Sequence, residues 1–393
     1  MKKKIVVVGN GFASLFFIQY FLLLPIFPFF SGLLRKIVSR YEITLIGNGQ
    51  FIYFPSIPEF LTGKKNKKGI TIDIRPFLKR RNITFINDEV IDIRDGGRTL
   101  VTGNGTIKND MLFLGIGPAF LKNDIPGTEE YTLSPCDGPD SMEQFVNKLS
   151  SMNSGIIYLG FKINKLDGFV AGRAGQMYEC ACLVDYALKE RGVRDNFEIH
   201  FFSSDINPGE TGAITDRLQE RGIILDYGYE PAEFVEGGML DEDNSLRKAD
   251  LVLFSPGITG SDLVKHSCLP VSKGGQIDVD KYGQVKGLSH VYAAGDCASH
   301  DDPPPWVPHQ AHMAQLRSQA AARNMRAALK GKQPVSTYRF ELSCIMNMGN
   351  DAMWLHMASD GKPPFRNIFP QHSKKLIALK DMFEKLYLLY LRF

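Results

Sequence analysis

The chain has 393 residues, 44% apolar and 23% charged, with 46 basic against 43 acidic side chains for a formal charge of +3. That length and balance fit two or three globular domains with real cores and exclude a disordered or low-complexity chain. The small net charge gives no ground for nucleic-acid binding. The basic runs at Lys2, Lys3 and Lys4 and at Lys64, Lys65, Lys67 and Lys68 read as solvated faces or as attraction to anionic headgroups.

Residues 4–8 (KIVVV) form a short β-branched run of the kind buried in a parallel sheet. They lead into Gly9-Asn10-Gly11-Phe12-Ala13-Ser14 and a helical pattern, and residues 42–46 (EITLI) predict the second strand. Strand, glycine turn, helix and strand in that order make a dinucleotide-binding unit. Residues 12–30 are uncharged, but the glycines in front of them and Pro25 and Pro28 within them argue against a signal peptide or a membrane span. An insertion at 22–34 (LLLPIFPFFSGLL) is more apolar than a soluble connection normally is.

A strand at 111–114 closes on Gly115-Ile116-Gly117-Pro118. A second unit opens at 155–160 (GIIYLG), with a helix near 178–191 and strands at 198–202 and 251–254. The first unit resumes at 291–295, before Asp296, and a helix follows from about 311 to 329. The last segment is rich in methionine and aromatics and ends in KDMFEKLYLLYLRF. The predicted class is therefore α/β, with two doubly wound Rossmann-like domains. The first is split over 1–120 and 285–330, the second spans 150–284, and a C-terminal segment covers 335–393.

In the first turn, Gly9 and Gly11 let backbone N–H groups approach a pyrophosphate at the helix N-terminus, which Phe12, Ala13 and Ser14 begin. Ser14 stands where a third glycine is usual, and Asn48 stands where an acid would bind the ribose. Gly117 and Pro118 close the third strand. Far downstream, Gly295-Asp296 ends a strand beside a helix N-terminus, where a carboxylate can face the ribityl chain of a flavin. The two signals together predict bound FAD. The six cysteines, at 136, 180, 182, 268, 297 and 344, have no CxxC spacing, so neither a metal site nor a disulfide scaffold is expected.

In these motifs the chain resembles the sulfide:quinone oxidoreductases, within the group that includes flavocytochrome c sulfide dehydrogenases and type II NADH dehydrogenases. The anchors are the first turn, residues 54–63 (FPSIPEFLTG), the 115–118 turn, Tyr178-Glu179, Gly295-Asp296, residues 308–313, and Ser343-Cys344-Ile345. The resemblance implies that Cys136 (in SPCDGPDS) and Cys344 (in SCIMNMG) form a redox pair beside the flavin that accepts sulfide and yields polysulfide or sulfur. Relatives carry a further cysteine where this chain has Gly172-Arg173-Ala174-Gly175, and a lysine near the quinone end of the flavin where it has His309, next to Gln310. They also carry a histidine in the loop after 198–202, where this chain offers Glu210. Glu143 is a second candidate base, provided burial raises its pKa.

The partners implied are sulfide, a membrane quinone and the membrane surface, with peripheral, monotopic attachment on the cytoplasmic face; a homo-oligomer is compatible with this. In the tail, Met382, Phe383, Leu386, Tyr387, Leu389, Tyr390 and Phe393 form an apolar helical face flanked by Lys380, Lys385 and Arg392, as a core helix or a membrane-surface helix would. A type II NADH:quinone dehydrogenase is disfavoured because Gly160-Phe161-Lys162-Ile163 follows Leu159 in place of a glycine-rich turn. A flavocytochrome-like sulfide dehydrogenase and a non-catalytic flavin-bound sulfide sensor remain as alternatives.

Overall fold

The computed structural model describes residues 2–23, 40–166, 172–205, 212–300, 303–304, 306–360 and 372–392. Most of the apolar insertion, residues 24–34, and the candidate base Glu210 lie outside the described residues.

The chain opens with β1 (Lys3–Val8), in which Ile5, Val6, Val7 and Val8 are all buried, and turns into α1 (Phe12–Phe21). Strands β2 (Tyr41–Gly47), β3 (Thr84–Asn87) and β4 (Met111–Leu114) join the sheet of β1. The short β5 (Ala119–Phe120) leaves it. Helix α2 (Pro139–Ser151) leads into a second sheet of β6 (Gly155–Phe161), β7 (Phe197–Ser203), β8 (Ile224–Tyr227) and β9 (Leu251–Ser255), with α3 (Ala174–Glu190) crossing from β6 to β7. Strand β10 (Ile258–Thr259) pairs antiparallel with β5 on the way back, and β11 (Val291–Ala293) completes the first sheet.

The sheet orders are β11-β4-β1-β2-β3 and β8-β7-β6-β9, parallel throughout. The inner strands of parallel sheets are covered on both faces, which is why β1 and β4 read as apolar runs in the sequence, while the edge strands β3 and β8 are half-exposed. The protein is thus α/β with two Rossmann-type domains. Helix α4 (Ala311–Ala328) lies along α1, and Ala13, Ala314, Ala321 and Ala322 share their core, so the two backbones approach closely.

The tail contains strands as well as the expected helix. Strands β12 (Glu341–Asn347), β13 (Ala352–Ala358) and β14 (His372–Ser373) form a third, antiparallel sheet, followed by α5 (Lys374–Arg392). The alternation is hard to see because Glu341 and Asn347 are buried polar residues while Ile345 and Leu355 are only half-buried. Met346, Met348 and Met353 join the core of the second sheet, whereas Leu388 and Leu391 of α5 join that of the first. Among the described residues no helix is long and apolar enough to cross a membrane.

Candidate active site

The first turn is shaped for a close approach. Gly9 has a φ of +95°, and a Cβ there would lie 2.4 Å from the Gly115 carbonyl oxygen, so only glycine fits. Ser14 fills the third-glycine place: its hydroxyl donates to the Val8 carbonyl at 3.3 Å and binds the helix to the ends of β1 and β4. Gly11 caps α1 with no side-chain hydrogen bond, and no atom lies within 4 Å of where its Cβ would be. Phe12, Ala13 and Ser14 form the first turn of α1, whose N–H groups have no side-chain cap, and the space beside Gly11 is open, as a pyrophosphate requires. Gly117, with a φ of +74° and equally open, and Pro118 lie across the same crevice.

Asn48 serves the turn itself. Its side-chain oxygen accepts from the Gln50 N–H at 2.9 Å, and its own N–H donates to Asn10 Oδ1 at 3.2 Å.

At the far side, Gly295 has a φ of +82° and Asp296 follows it. Burial works against ionisation of Asp296, but Arg173, His309 and Arg317 outweigh it and hold the carboxyl well below the usual range. The Arg173 Nη2 donates to Asp296 Oδ2 at 2.5 Å, and His309 Nδ1 lies 3.3 Å from Oδ1. Arg317, buried in α4, donates to the carbonyls of Gly295 (2.9 Å), Ala298 (3.1 Å) and Ser299 (2.5 Å) and so fixes the aspartate's turn. Gln310 caps α4, and its side chain donates to the Glu341 carbonyl at 2.8 Å. Open glycines, a bare helix N-terminus and an ionised buried aspartate on one crevice are what FAD needs.

All six cysteines are free. Cys136 sits on a 3-10 turn with its sulfur 3.2 Å from the Ser255 hydroxyl; burial pushes the thiol up, and Arg173 and Ser255 partly offset this. Cys344 lies on β12, where burial and then Glu179 push its thiol up to about 12, against Lys380. The charges acting on Cys344 are thus Glu179 and Lys380, and the chief cation acting on Cys136 is Arg173. Cys180, on α3, is buried in the core against which Cys344 packs.

Beside Cys344 is a buried charge cluster that the sequence reading does not identify as a site. Lys380 of α5 faces inward, with its ammonium 3.1 Å from Glu59 and in a shorter contact with Glu179. The Asn347 backbone N–H donates to Glu179 at 3.1 Å, and its side chain to Glu59 at 3.3 Å. Burial raises Glu179 to about 7 even against Lys380. Glu59, Asp381 and Glu384 bring carboxylate oxygens within 4.8 Å of one another, and Lys65 supplies the cation among them, 2.9 Å from both Asp381 and Glu384. Tyr53, on the edge of this cluster, is pushed up to about 12 by burial.

Glu143 is half-buried on α2 and accepts from the Lys67 backbone N–H at 3.0 Å, apart from the groups acting on either thiol. After Leu159, where a glycine-rich turn was not found, the side chains are committed elsewhere. Phe161 is buried in the core near Tyr178 and Phe201, and Lys162 is paired with Glu230 at 2.8 Å. The signals for Glu59 and Glu179 were single acids inside apolar stretches, and that for Lys380 a base at the edge of an amphipathic helix; Arg317 lay among alanines.

A family model described as pyridine nucleotide-disulphide oxidoreductase matches residues 200–319. The sulfide-quinone reductase of Aquifex aeolicus is 24% identical over 382 residues, covering 90% of this chain and 86% of that protein. An X-ray structure of the sulfide:quinone oxidoreductase from the same organism aligns with a TM-score of 0.81 at 21% identity, over 99% of this chain and 91% of that one. The alternative NAD(P)H-ubiquinone oxidoreductase C1 of Arabidopsis thaliana is 22% identical, over 88% of this chain and 72% of that protein. The chain is accordingly an FAD-binding oxidoreductase, similar along its length to the sulfide:quinone oxidoreductases and, beyond them, to other quinone-reducing flavoproteins.

Proposed function

We propose that the chain oxidises sulfide at Cys136 and Cys344 and delivers the electrons to a membrane quinone. The observation that carries this reading is α3, whose start brings Arg173 to the flavin aspartate and whose second turn sets Glu179 beside Cys344. Bound FAD would accept the electron pair from sulfide and pass it to the quinone. The chain's part is to hold the cofactor through Gly9, Gly11, the first turn of α1, Gly117, Pro118 and Asp296, and to supply thiols and protons. Sulfide ends as zero-valent sulfur in a polysulfide, having lost two electrons and its protons. The quinone takes up two of each. Glu179, raised to about 7, is placed to take a proton from the sulfur side near neutral pH and release it again. Glu143 and Glu210 are the other candidate bases.

Quinone reaches the site from the bilayer surface in this reading. On α5, Met382, Phe383, Leu386 and Leu389 are 46–51% exposed on one side, with Lys385 and Arg392 nearby, a pattern suited to lying in a membrane interface.

Anaerobic mixing with sulfide or with NADH, followed by flavin absorbance, tests the proposal. Sulfide should bleach the wild-type flavin rapidly, and Cys344→Ser and Cys136→Ser should each slow this by about 10²-fold or more, since a serine hydroxyl does not replace a thiolate. Full-speed reduction by sulfide in Cys344→Ser would sink the thiol mechanism. Fast reduction by NADH with none by sulfide would transfer the chain to the NADH-oxidising branch.

A further inference from the structure

Arg173 caps the start of α3 and crosses to the other domain, where its Nη2 donates to Asp296 Oδ2 at 2.5 Å. The residue before it, Gly172, is tied to the same place, because its carbonyl accepts from the His309 backbone N–H at 3.1 Å. A guanidinium carries five N–H donors in a rigid fork. Here the Nε is buried and makes no hydrogen bond among the described residues. A buried donor without an acceptor costs stability, so a side chain held this way is matched to an acceptor that the described residues do not supply. The start of α3 also lies near Cys136: a Cβ on Gly172 would stand 3.4 Å from Ile163, and the neighbouring Lys162 N–H donates at 2.9 Å to the carbonyl of Ser255, whose neutral hydroxyl is 3.2 Å from the Cys136 sulfur.

We propose that Arg173 is a substrate-positioning residue that holds a small soft anion, hydrosulfide, beside Cys136. This rests on the sulfide reading above. Hydrogen sulfide ionises to hydrosulfide near neutral pH, and that anion is small and needs a fixed cation to enter an interior where burial disfavours charge. Asp296 holds the guanidinium in place from one side and leaves the Nε edge for the anion. The cation also favours the thiolate form of Cys136, so one side chain gathers both sulfur species.

Two measurements on Arg173→Met and Arg173→Lys test this, with bound FAD and melting temperature checked first in each variant. The first is the ratio of alkylation rates at Cys136 by iodoacetate and iodoacetamide, which reports a fixed cation beside the sulfur without any sulfide chemistry. The second is the sulfide concentration for half-maximal flavin reduction. In Arg173→Met the alkylation ratio should fall about tenfold and the half-saturating sulfide concentration should rise about tenfold, with a smaller change in limiting rate. Arg173→Lys should restore the ratio. An unchanged ratio in Arg173→Met overturns the proposal, as does an unchanged sulfide requirement. If the ratio falls but sulfide never reduces the wild-type flavin, the cation stands, and both the sulfide reading and hydrosulfide as its anion fail.

Discussion

Glu179 shows how one side chain can be set by its surroundings. The isolated acid titrates at 4.5, and burial raises it to about 7 within the fold. Between those values the native state holds a proton that the unfolded chain has lost, so stability falls as pH rises through that window. In Glu179→Gln this slope should be missing, which melting temperatures from pH 4.5 to 7 will show; equal slopes in both proteins would remove the shift. The same variant should flatten any pH dependence of turnover near 7. Gly9 is a second single-residue test. Gly9→Ala forces a positive φ and a contact with Gly115, which should cost about 1–3 kcal/mol from the backbone alone and abolish FAD retention, as read from the visible spectrum of the purified protein. Gly9 and Asp296 were legible from their motifs because backbone sterics and a fixed spacing leave a local trace. Glu59 and Glu179 lie in stretches that carry the family resemblance, but their pairing with Lys380 was not legible, since a charge in an apolar run looks the same whether it faces water or a partner from 200 residues away.

Helix α5 joins these residues to the fold. Its inward face carries Leu376, Lys380, Glu384, Leu388 and Leu391, all buried, and its outer face exposes Met382, Phe383, Leu386 and Leu389. The amphipathic pattern announced a helix but placed Lys380 on its solvent flank, since periodicity counts a lysine as outside. Replacing Lys380 by Met leaves two buried carboxylates without their shared cation and should destabilise the protein by about 3–5 kcal/mol, measured by urea unfolding. A loss below 1 kcal/mol would mean the ion pair is solvated. The inner parallel strands were readable because both their faces are apolar, whereas the half-exposed edge strands β3 and β8 were not. The third sheet was not, because β12 and β13 mix methionines, a cysteine and buried polar residues.

At the level of the whole molecule, two Rossmann-type domains are joined by β5 and β10, and the tail packs against both cores. The outer face of α5 leads to a sedimentation test with anionic vesicles. Changing Met382, Phe383, Leu386 and Leu389 together to serine should weaken binding at least about 100-fold, given about 1.5–3 kcal/mol for each fully buried large apolar side chain, and should leave the melting temperature unchanged because these side chains are exposed. Wild-type protein that stays in the supernatant at low salt would count against membrane attachment. The β-strand and glycine signals made this architecture legible, whereas the interlock of tail and domains came only from contacts distant in sequence.

The inward lysine of the last helix also bears on how the protein tolerates shortening. A chain cut before residue 374 would lose the ammonium that lies against both Glu59 and Glu179. The damage would therefore reach the centre of the molecule, as two facing carboxylates took up protons or water to relieve their repulsion. Trimming the C-terminus for better solubility would then yield a protein altered in its interior.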